Sequence, residues 1–335
     1  QPLSTFINLY KPSSTLIHPL PMTTRILLFL LAFTFGNTPA ETPAQRSLQA
    51  DDRPKISFTF DDGITTDMPR RPFKEWNAML LQNLEKGGVK AVFFVTGRNK
   101  MDEKGRFLLK SWSDAGHSIG NHTFTHPSYG SDQTSFETFR EEFLKTDTII
   151  RKYANYVKLF RFPYLKEGNT PEKISRFRAC LQENGYRNGY VTIDGSDWAI
   201  DSRLRDKLAA KPDADLEPYR EFYLDHLYDR ALYYENLAQQ ITGRHIHHTI
   251  LLHHNLTSAL FVGDLIAMFR AKGWEIVPAT EAFKDPIFLE LPSNVPAGES
   301  LIWALAKQSG KFEKVLRYPA EDDTYEKDAM DKRGL

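Results

Sequence analysis

The feature that most constrains the fold of this chain is a strict alternation of strand patterns with helical patterns. Short apolar runs predict seven β-strands, at residues 55–60, 91–95, 118–121, 158–162, 189–193, 248–253 and 274–278. Helical periodicity fills the intervals, at residues 73–86, 105–115, 135–153, 171–184, 218–241 and 257–271. Glycines follow most of these helices, where C-caps are expected. Strict alternation predicts an α/β fold with a parallel sheet, either open or closed into a barrel.

Composition narrows the class of protein. The 335 residues are enough for one large α/β barrel or two ordinary domains. Lys plus Arg and Asp plus Glu are equal at 43 each, so no net field favours nucleic acid or an anionic membrane surface as a partner. Cys180 is the single cysteine, which excludes an intramolecular disulfide. It shares a predicted helix face with Ile174 and Phe177, which favours a small core residue over a nucleophile.

The amino-terminal region has the pattern of a targeting segment. Within residues 22–40 a basic residue precedes a ten-residue apolar run, 26–35, and small residues follow it. This pattern predicts a secretory signal peptide and a periplasmic or extracellular protein. The run is too short to span a bilayer, so a retained anchor is the less favoured interpretation. Residues 1–21 precede the first methionine and are interpreted as untranslated upstream sequence, and residues 41–53 as a polar linker.

Two adjacent carboxylates follow the first predicted strand, in the stretch KISFTFDDGITTD (55–67). Asp61-Asp62-Gly63 is common turn chemistry, because Asp bonds its own backbone and Gly accepts a positive φ. Taken alone, the stretch is better explained as a turn than as a site. Adjacent acids repel each other, however, so the remaining strand ends decide between the two interpretations.

Residues capable of chemistry also follow the other predicted strands. They are His122 and His126 in NHTFTHP, Arg161 in RFPY, Asp194 to Trp198 in DGSDW, and His253. The spacing of the two histidines would place both imidazoles on one side of a helical turn, as pairs of metal ligands often require. Each has an ordinary explanation by itself, as an unrelated histidine, a surface charge or a turn. The carboxyl ends of parallel strands converge on one face, however, where α/β proteins build active sites. The inventory holds an oxygen ligand and two nitrogen ligands for a divalent ion, with a spare carboxylate and a spare histidine.

Five motifs in this order resemble those of the polysaccharide deacetylases, carbohydrate esterase family 4, also called the NodB-homology domain. They are TFDDG (59–63), HTFTH (122–126), RFPY (161–164), DGSDW (194–198) and LLH (251–253). The resemblance implies a distorted seven-stranded (β/α) barrel over residues 54–285, followed by a C-terminal extension, 286–335. It also implies a secreted, metal-dependent hydrolase that removes acetyl groups from N-acetylated glycans, such as chitin oligomers or peptidoglycan.

The resemblance also implies roles for individual residues. Asp62, His122 and His126 would bind the metal. Asp61 would be the general base that deprotonates the metal-bound water, and Arg161 would orient it. Zn²⁺ suits this ligand set, while Co²⁺, Ni²⁺ and Mn²⁺ are alternatives.

Further roles follow from the other motifs. The backbone N–H of Tyr164 would help to hold the oxyanion. Asp197 would pair with His253, which acts as general acid toward the leaving nitrogen. Trp198 and Leu251 would shape the acetyl pocket.

Three hypotheses for the activity stay open in the sequence. An N-deacetylase leads, an acetylxylan esterase would use the same site, and a silent carbohydrate-binding barrel is disfavoured because every ligand and the base are present. His254 stands where the family often has Asp, in a region that also carries HIHH (245–248). An aromatic stripe within 201–247 is better explained by core packing than by sugar stacking. The expected partner is therefore an acetylated polysaccharide or oligosaccharide.

Overall fold

A computed structural model describes residues 53–68, 71–319 and 322–335 of the chain. The predicted signal peptide, residues 1–21 and nearly all of the linker lie outside the described residues. The strands are β1 (Lys55–Asp62), β2 (Val92–Val95), β3 (Ser118–Asn121), β4 (Tyr156–Phe160), β5 (Lys166–Gly168), β6 (Arg187–Asn188), β7 (Ile193–Asp194), β8 (His247–His253), β9 (Glu275–Ile276) and β10 (Ala297–Gly298).

The main sheet is parallel and curls into a distorted barrel. Its strand order is β6-β4-β3-β2-β1-β8-β7, and β9 pairs with β1. Strands β6 and β7 belong to one segment, 187–194, which pairs with β4 at one end and with β8 at the other. This segment joins the two edges of the sheet, so the predicted barrel is confirmed. The predicted strand at 189–193 is split into two short pieces, because the segment crosses from one edge to the other.

Helices cover the outside of the sheet. They are α1 (Phe73–Lys86), α2 (Glu103–Asp114), α3 (Phe136–Ile150), α4 (Pro171–Glu183), α5 (Asp197–Ala210), α6 (Glu217–Thr242), α7 (Leu256–Ala271), α8 (Ala279–Ala282), α9 (Leu301–Ser309) and α10 (Thr324–Arg333). The six predicted helices are present to within a few residues at each end. Helix α5 was not predicted, because its buried face includes Asp197 and Asp201, and buried acids interrupt the apolar periodicity.

Strand β1 has two buried faces of different character. Ile56, Phe58 and Phe60 are fully buried, and the two phenylalanines contact Phe269 of α7 and Trp112 of α2. The alternate residues Ser57, Thr59 and Asp61 are also buried, but they are polar. Because side chains alternate along a strand, these three face the inside of the barrel. The inside of the barrel therefore receives polar groups from the strand that ends at the two carboxylates.

The predicted C-terminal extension, residues 286–335, packs against the barrel through several of its described residues. Strand β10 pairs antiparallel with β5, and α9 packs against α6. Cys180 is buried in an aromatic cluster, as predicted for a core residue. The aromatic stripe of α6 is also core, since Tyr219, Phe222 and Tyr223 are buried. Among the described residues, no helix is both long and apolar enough to cross a membrane.

Candidate active site

The Asp-Asp-Gly stretch ends strand β1 with a sharp change of backbone direction. Asp62 has φ 76°, and Gly63 follows with φ 89°. The carbonyl of Asp62 accepts bonds from the backbone N–H and the hydroxyl of Thr96, each at 3.1 Å. The positive φ of Gly63 favours glycine, and a Cβ there would also lie 2.7 Å from Cε of the buried Lys100. The turn interpretation and the site interpretation therefore both apply to this stretch.

The two histidines are brought together by a loop, and the expected helical turn is not present. Thr123 and His126 both have a left-handed backbone, with φ 63° and 66°. Asn121 Oδ1 accepts the N–H of Thr123, and the carboxylate of Glu142 accepts the N–H groups of the two following residues. These side-chain acceptors replace helical hydrogen bonds, which is why spacing alone predicted the wrong local structure.

Asp62, His122 and His126 form a group that fits a divalent ion. One ligand atom from each lies within 4.8 Å of the others, and Asp62 Oδ1 is 3.7 Å and 3.5 Å from Nε2 of His122 and His126. His122 Nδ1 lies 2.8 Å from the carbonyl of Arg161, so Nδ1–H donates there and the Nε2 lone pair faces the site. Burial lowers the pKa of His122 to about 3 and also lowers the pKa of His126. Both imidazoles are neutral at pH 7, as metal ligation requires.

Arg161 crosses the inside of the barrel to reach Asp61. Its Nη1 donates to Asp61 Oδ1 and to Thr59 Oγ1, each at 2.8 Å, and its Nε donates to the carbonyl of Gly189 at 2.8 Å. Burial raises the pKa of Asp61 to about 6, while the guanidinium opposes that rise. The sequence did not identify Thr59, although its place on the polar face of β1 was the available signal. The result is an oriented carboxylate with raised basicity beside the three ligands.

His253 is held by the buried carboxylate of Asp197. Asp197 Oδ1 is 2.6 Å from His253 Nδ1, and Oδ2 accepts the backbone N–H of His253 at 3.0 Å. Asn255 Nδ2 also donates to Oδ2, at 3.1 Å. Asn255 is in addition the N-cap of α7, through its contact with the N–H of Ser258. A capping search of the sequence could have found Asn255, but it could not have found the bond to Asp197.

The neighbouring histidines of the region have other surroundings. His254 is fully buried, with Nε2 3.0 Å from Asn77 Oδ1 and its ring 4.5 Å from that of Trp76. His245 and His248 both bind the carboxylate of Glu235. His248 lies at the start of β8, whereas His253 is at its end. The structure thus places His253, and not its neighbours, beside the Asp197 carboxylate at the strand end.

The three predicted pocket residues lie near the same strand ends but differ in their surroundings. Tyr164 is 43% exposed, has φ 56°, and its ring centroid is 4.5 Å from that of His126. Leu251 is buried in a small cluster with Leu165 and Val191. Trp198 is partly buried and packs against the main core. The oxyanion role of the Tyr164 backbone N–H and the pocket roles of Trp198 and Leu251 stay predictions.

A groove opens beside the metal-type ligands. Its volume is about 330 Å³, and Asp62 and His126 form part of its wall. The remaining lining residues are mostly polar: Gly63, Ile64, Thr65, Thr66, Thr96, Arg98, Phe124 and Thr125. Hydroxyl groups next to a ligand set provide hydrogen-bonding partners of the kind that a sugar requires.

Comparison with protein families gives a match to the polysaccharide deacetylase model over residues 49–188. The peptidoglycan-N-acetylglucosamine deacetylase of Bacillus cereus is 34% identical over 111 residues, which are 33% of this chain and 36% of that protein. The peptidoglycan-N-acetylmuramic acid deacetylase of Bacillus subtilis is 35% identical over 187 residues, which are 53% of this chain and 57% of that protein. The chain thus spans less than two thirds of these curated relatives.

The matches to solved structures have lower identity. A family 4 carbohydrate esterase from Streptomyces lividans, solved with acetate, is 20% identical, with a TM-score of 0.44. The match covers 68% of this chain and 95% of that one. The peptidoglycan deacetylase PdaC of Bacillus subtilis is also 20% identical, with a TM-score of 0.45, over 79% and 96% of the two chains.

Proposed function

We propose that this chain, whose residues 49–188 match the polysaccharide deacetylase family model, is a metal-dependent hydrolase of N-acetylated glycans. The substrate class is an N-acetylated polysaccharide or oligosaccharide, such as peptidoglycan or a chitin oligomer. The relatives named for peptidoglycan deacetylation support this class. The reaction is hydrolysis of the acetamide C–N bond, which yields acetate and a free amine on the sugar.

One observation carries the proposal. A carboxylate bonded to an arginine and a histidine bonded to a carboxylate lie beside one set of metal-type ligands at the carboxyl ends of the strands. Asp61 is oriented by Arg161, and His253 is oriented by Asp197. Asp62 and the two histidines lie beside Asp61, with His122 Nε2 3.6 Å from Asp61 Oδ2. Hydrolysis of an amide needs both a base for water and an acid for the leaving nitrogen. This arrangement provides one candidate for each role.

Asp62, His122 and His126 would hold the ion, and Zn²⁺ is the proposed metal, with Co²⁺, Ni²⁺ and Mn²⁺ as alternatives. When bound, a divalent ion supplies Lewis acidity, which polarises the acetyl carbonyl and lowers the pKa of water. One carboxylate and two imidazoles are three protein ligands, a number typical of catalytic sites that leave a position for water and substrate. The hydrogen bond from His122 to the Arg161 carbonyl keeps this ligand oriented.

Asp61 is proposed to take the proton from the attacking water. Its raised pKa makes it a stronger base than an ordinary carboxylate, yet at pH 7 it remains largely ionised. Arg161 stabilises the ionised form and points one oxygen away from the ligand set, while the other oxygen faces His122. Arg161 is thus a positioning residue that acts through Asp61.

His253 is proposed to donate a proton to the leaving nitrogen. The bond between Nδ1 and Asp197 stabilises the protonated ring and leaves Nε2–H as the donor toward substrate. An amine cannot leave the tetrahedral intermediate as an anion, so this proton transfer accompanies C–N cleavage. Asp197 is a positioning residue, since its own contacts are with His253, Asn255 and the chain around them.

Acetate release from a substrate panel tests the proposal. The panel contains chitooligosaccharides, purified peptidoglycan and acetylxylan, and metal content is measured on the same protein sample. Acetate from the N-acetylated glycans, abolished by a chelator, is the expected result. Release from acetylxylan alone would indicate an esterase instead. Metal-replete, folded protein that releases acetate from no substrate would overturn the proposal in favour of a silent carbohydrate-binding barrel.

Secretion is a further part of the proposal. Residues 22–40 have the composition of a signal peptide, and they lie outside the described residues. We expect the mature protein to begin near Glu41 and to be recovered from the periplasm or the medium. Amino-terminal sequencing of the exported protein decides this. A mature protein that keeps residues 22–35 and sediments with membranes would indicate an anchored enzyme.

A further inference from the structure

The turn that precedes Asp197 is shaped by contacts far away in the sequence. Ser196 has a left-handed backbone, φ 47°, and its N–H donates to Asp194 Oδ1 at 3.1 Å. A Cβ on Gly195 would lie 2.2 Å from Cδ2 of Leu227, so this turn is pressed directly against helix α6. Asp197 follows at once as the first residue of α5. The position of this turn therefore determines where the Asp197 carboxylate lies.

Ser196 makes an unusual contact for the residue at the start of a helix. A serine at this position commonly accepts a bond from the N–H groups of its own helix. Here its side chain makes no such cap. Its hydroxyl instead donates to the carbonyl of Asp322 at 3.1 Å. The C-terminal segment 322–335, which contains α10, therefore contacts the turn directly.

A second contact runs from the same segment through a histidine of α6. His226 Nε2 is 2.9 Å from Glu326 Oε1 and 3.1 Å from the carbonyl of Gly195. Both neighbours are acceptors, so Nε2 carries the proton and lies between them. Glu326 is fully buried and also binds the buried guanidinium of Arg230, which stacks 3.3 Å from the ring centroid of Tyr318. The turn, α6 and α10 therefore meet at His226 and Glu326.

The charged groups at this junction are better suited to fixing the position of the turn than to simply attaching α10 to the protein. Burial of a carboxylate and a guanidinium is costly, and well-packed apolar side chains often attach two elements at least as stably. Charge-assisted hydrogen bonds, by contrast, hold two elements in a narrow range of relative positions, because each bond needs a defined distance and angle. Arg203 of α5 also binds Asp331 of α10 at 2.7 Å, so the segment contacts α5 as well as the turn before it.

We propose that the C-terminal segment 322–335 positions the general acid of this enzyme. Glu326 acts through His226, and Asp322 acts through Ser196, to hold the Gly195–Ser196 turn. That turn sets Asp197 against His253. This inference rests on the proposed function, because it assumes that His253 delivers the proton to the leaving nitrogen. His226, Glu326 and Ser196 are positioning residues, and each acts through the turn.

The test compares an amide substrate with an ester substrate, because proton delivery matters more for an amine leaving group. His226→Leu should lower kcat on an N-acetylglucosamine oligomer by on the order of tenfold, less than complete loss of a general acid costs. KM and the turnover of an O-acetylated sugar should change clearly less. His226→Gln should retain most amide turnover, because the glutamine amide nitrogen can occupy the place of Nε2.

Lys327→Gln is the matched control. Lys327 forms an exposed ion pair with Asp331 at 2.8 Å within α10 itself, a contact that does not involve the turn. We expect its amide-to-ester ratio of kcat to equal that of the wild type. Thermal unfolding of all variants shows how much stability each has lost. Ser196→Ala, which removes one hydroxyl, should lower the same ratio by a smaller factor, and it decides the question if His226→Leu does not fold.

The results separate this inference from the proposed function. If His226→Leu and Ser196→Ala lower the melting temperature but keep the wild-type ratio of kcat on amide to kcat on ester, the segment only stabilises the fold. The inference is then overturned. Equal loss on amide and ester also overturns it. If metal-replete wild type releases no acetate from either class of substrate, the proposed function fails, and the inference fails with it.

Discussion

Asp61 and His253 are paired residues on neighbouring parallel strands, β1 and β8. The backbone N–H of His254 donates to the carbonyl of Asp61 at 3.1 Å, which continues the ladder past this pair. Neighbouring strands lie about 4.8 Å apart, so the backbones of the proposed base and acid are about one strand spacing apart. Each also has its own buried partner, Arg161 for Asp61 and Asp197 for His253.

Substitutions of the two adjacent carboxylates should have different effects on metal binding. Asp62→Ala removes a ligand and should lose the metal, whereas Asp61→Asn should keep it and lose turnover by on the order of a hundredfold or more. Elemental analysis after gel filtration measures the first effect, and acetate release measures the second. Equal metal loss in both variants would show that Asp61 is also a ligand.

Arg161 should control the acid limb of the pH profile. Burial raises the pKa of Asp61 to about 6, and the guanidinium opposes that rise. The base must be ionised, so activity falls as the pH drops through its pKa. Arg161→Met removes the opposing cation, and the acid limb of kcat/KM should therefore move to higher pH. Arg176→Met, at an exposed ion pair with Glu137, is the control. An unmoved acid limb in Arg161→Met would contradict the assignment of Asp61 as the titrating base.

His253 should matter more for amides than for esters. An alkoxide leaves with less complete proton transfer than an amine, so His253→Ala should lower kcat on an N-acetylglucosamine oligomer by on the order of a hundredfold or more. Turnover of an O-acetyl ester should fall clearly less. Steady-state kinetics on both substrates measure the difference. Equal loss on the two substrates would assign His253 a role in binding or structure.

His254 should affect stability at acid pH. Burial lowers the pKa of His254 to about 3. Below pH 6.5, the ordinary pKa of histidine, the unfolded chain therefore binds a proton at this position and the folded protein does not. Its contribution to stability is complete above pH 6.5 and is lost as the pH falls toward 3, at up to ~1.4 kcal/mol per pH unit.

His254→Gln keeps an amide donor for Asn77 and removes the titration. The free energy of unfolding of this variant, measured by urea denaturation from pH 7 to pH 4, should therefore fall less steeply than that of the wild type. The comparison of slopes is unaffected by any constant loss of stability from the substitution. If the free energies of unfolding of His254→Gln and of the wild type fall in parallel with pH, the pKa of His254 is not lowered in the folded protein.

Local patterns in the sequence were enough to predict most elements. The apolar run that ends in LLH predicted β8, and the glycine after helix α1 marked the end of that helix to the residue. The resemblance of five motifs implied the ligand set, and Asp62, His122 and His126 do lie within ligand distance of one another. These features were predictable because strand alternation, helix caps and motif spacing depend on residues close in sequence.

Contacts between distant residues were not predictable in the same way. Arg161 reaches Thr59 across 102 positions, and Arg230 meets Glu326 across 96. The histidine loop also differs from the expected helical turn, because Glu142, sixteen residues after His126, supplies its hydrogen bonds. Such partners have no local signature, since any acid or hydroxyl in the chain could have served.

The sequence by itself determined the order of strands and helices and the identity of the groups at the strand ends. The tertiary structure decided which of those groups face each other. The register of β8 against β1 pairs His253 with Asp61, while His254 lies in an aromatic core with Asn77 and Trp76. The physical reason is that successive side chains leave a strand end in different directions, so a difference of one residue separates a proposed acid from a core residue.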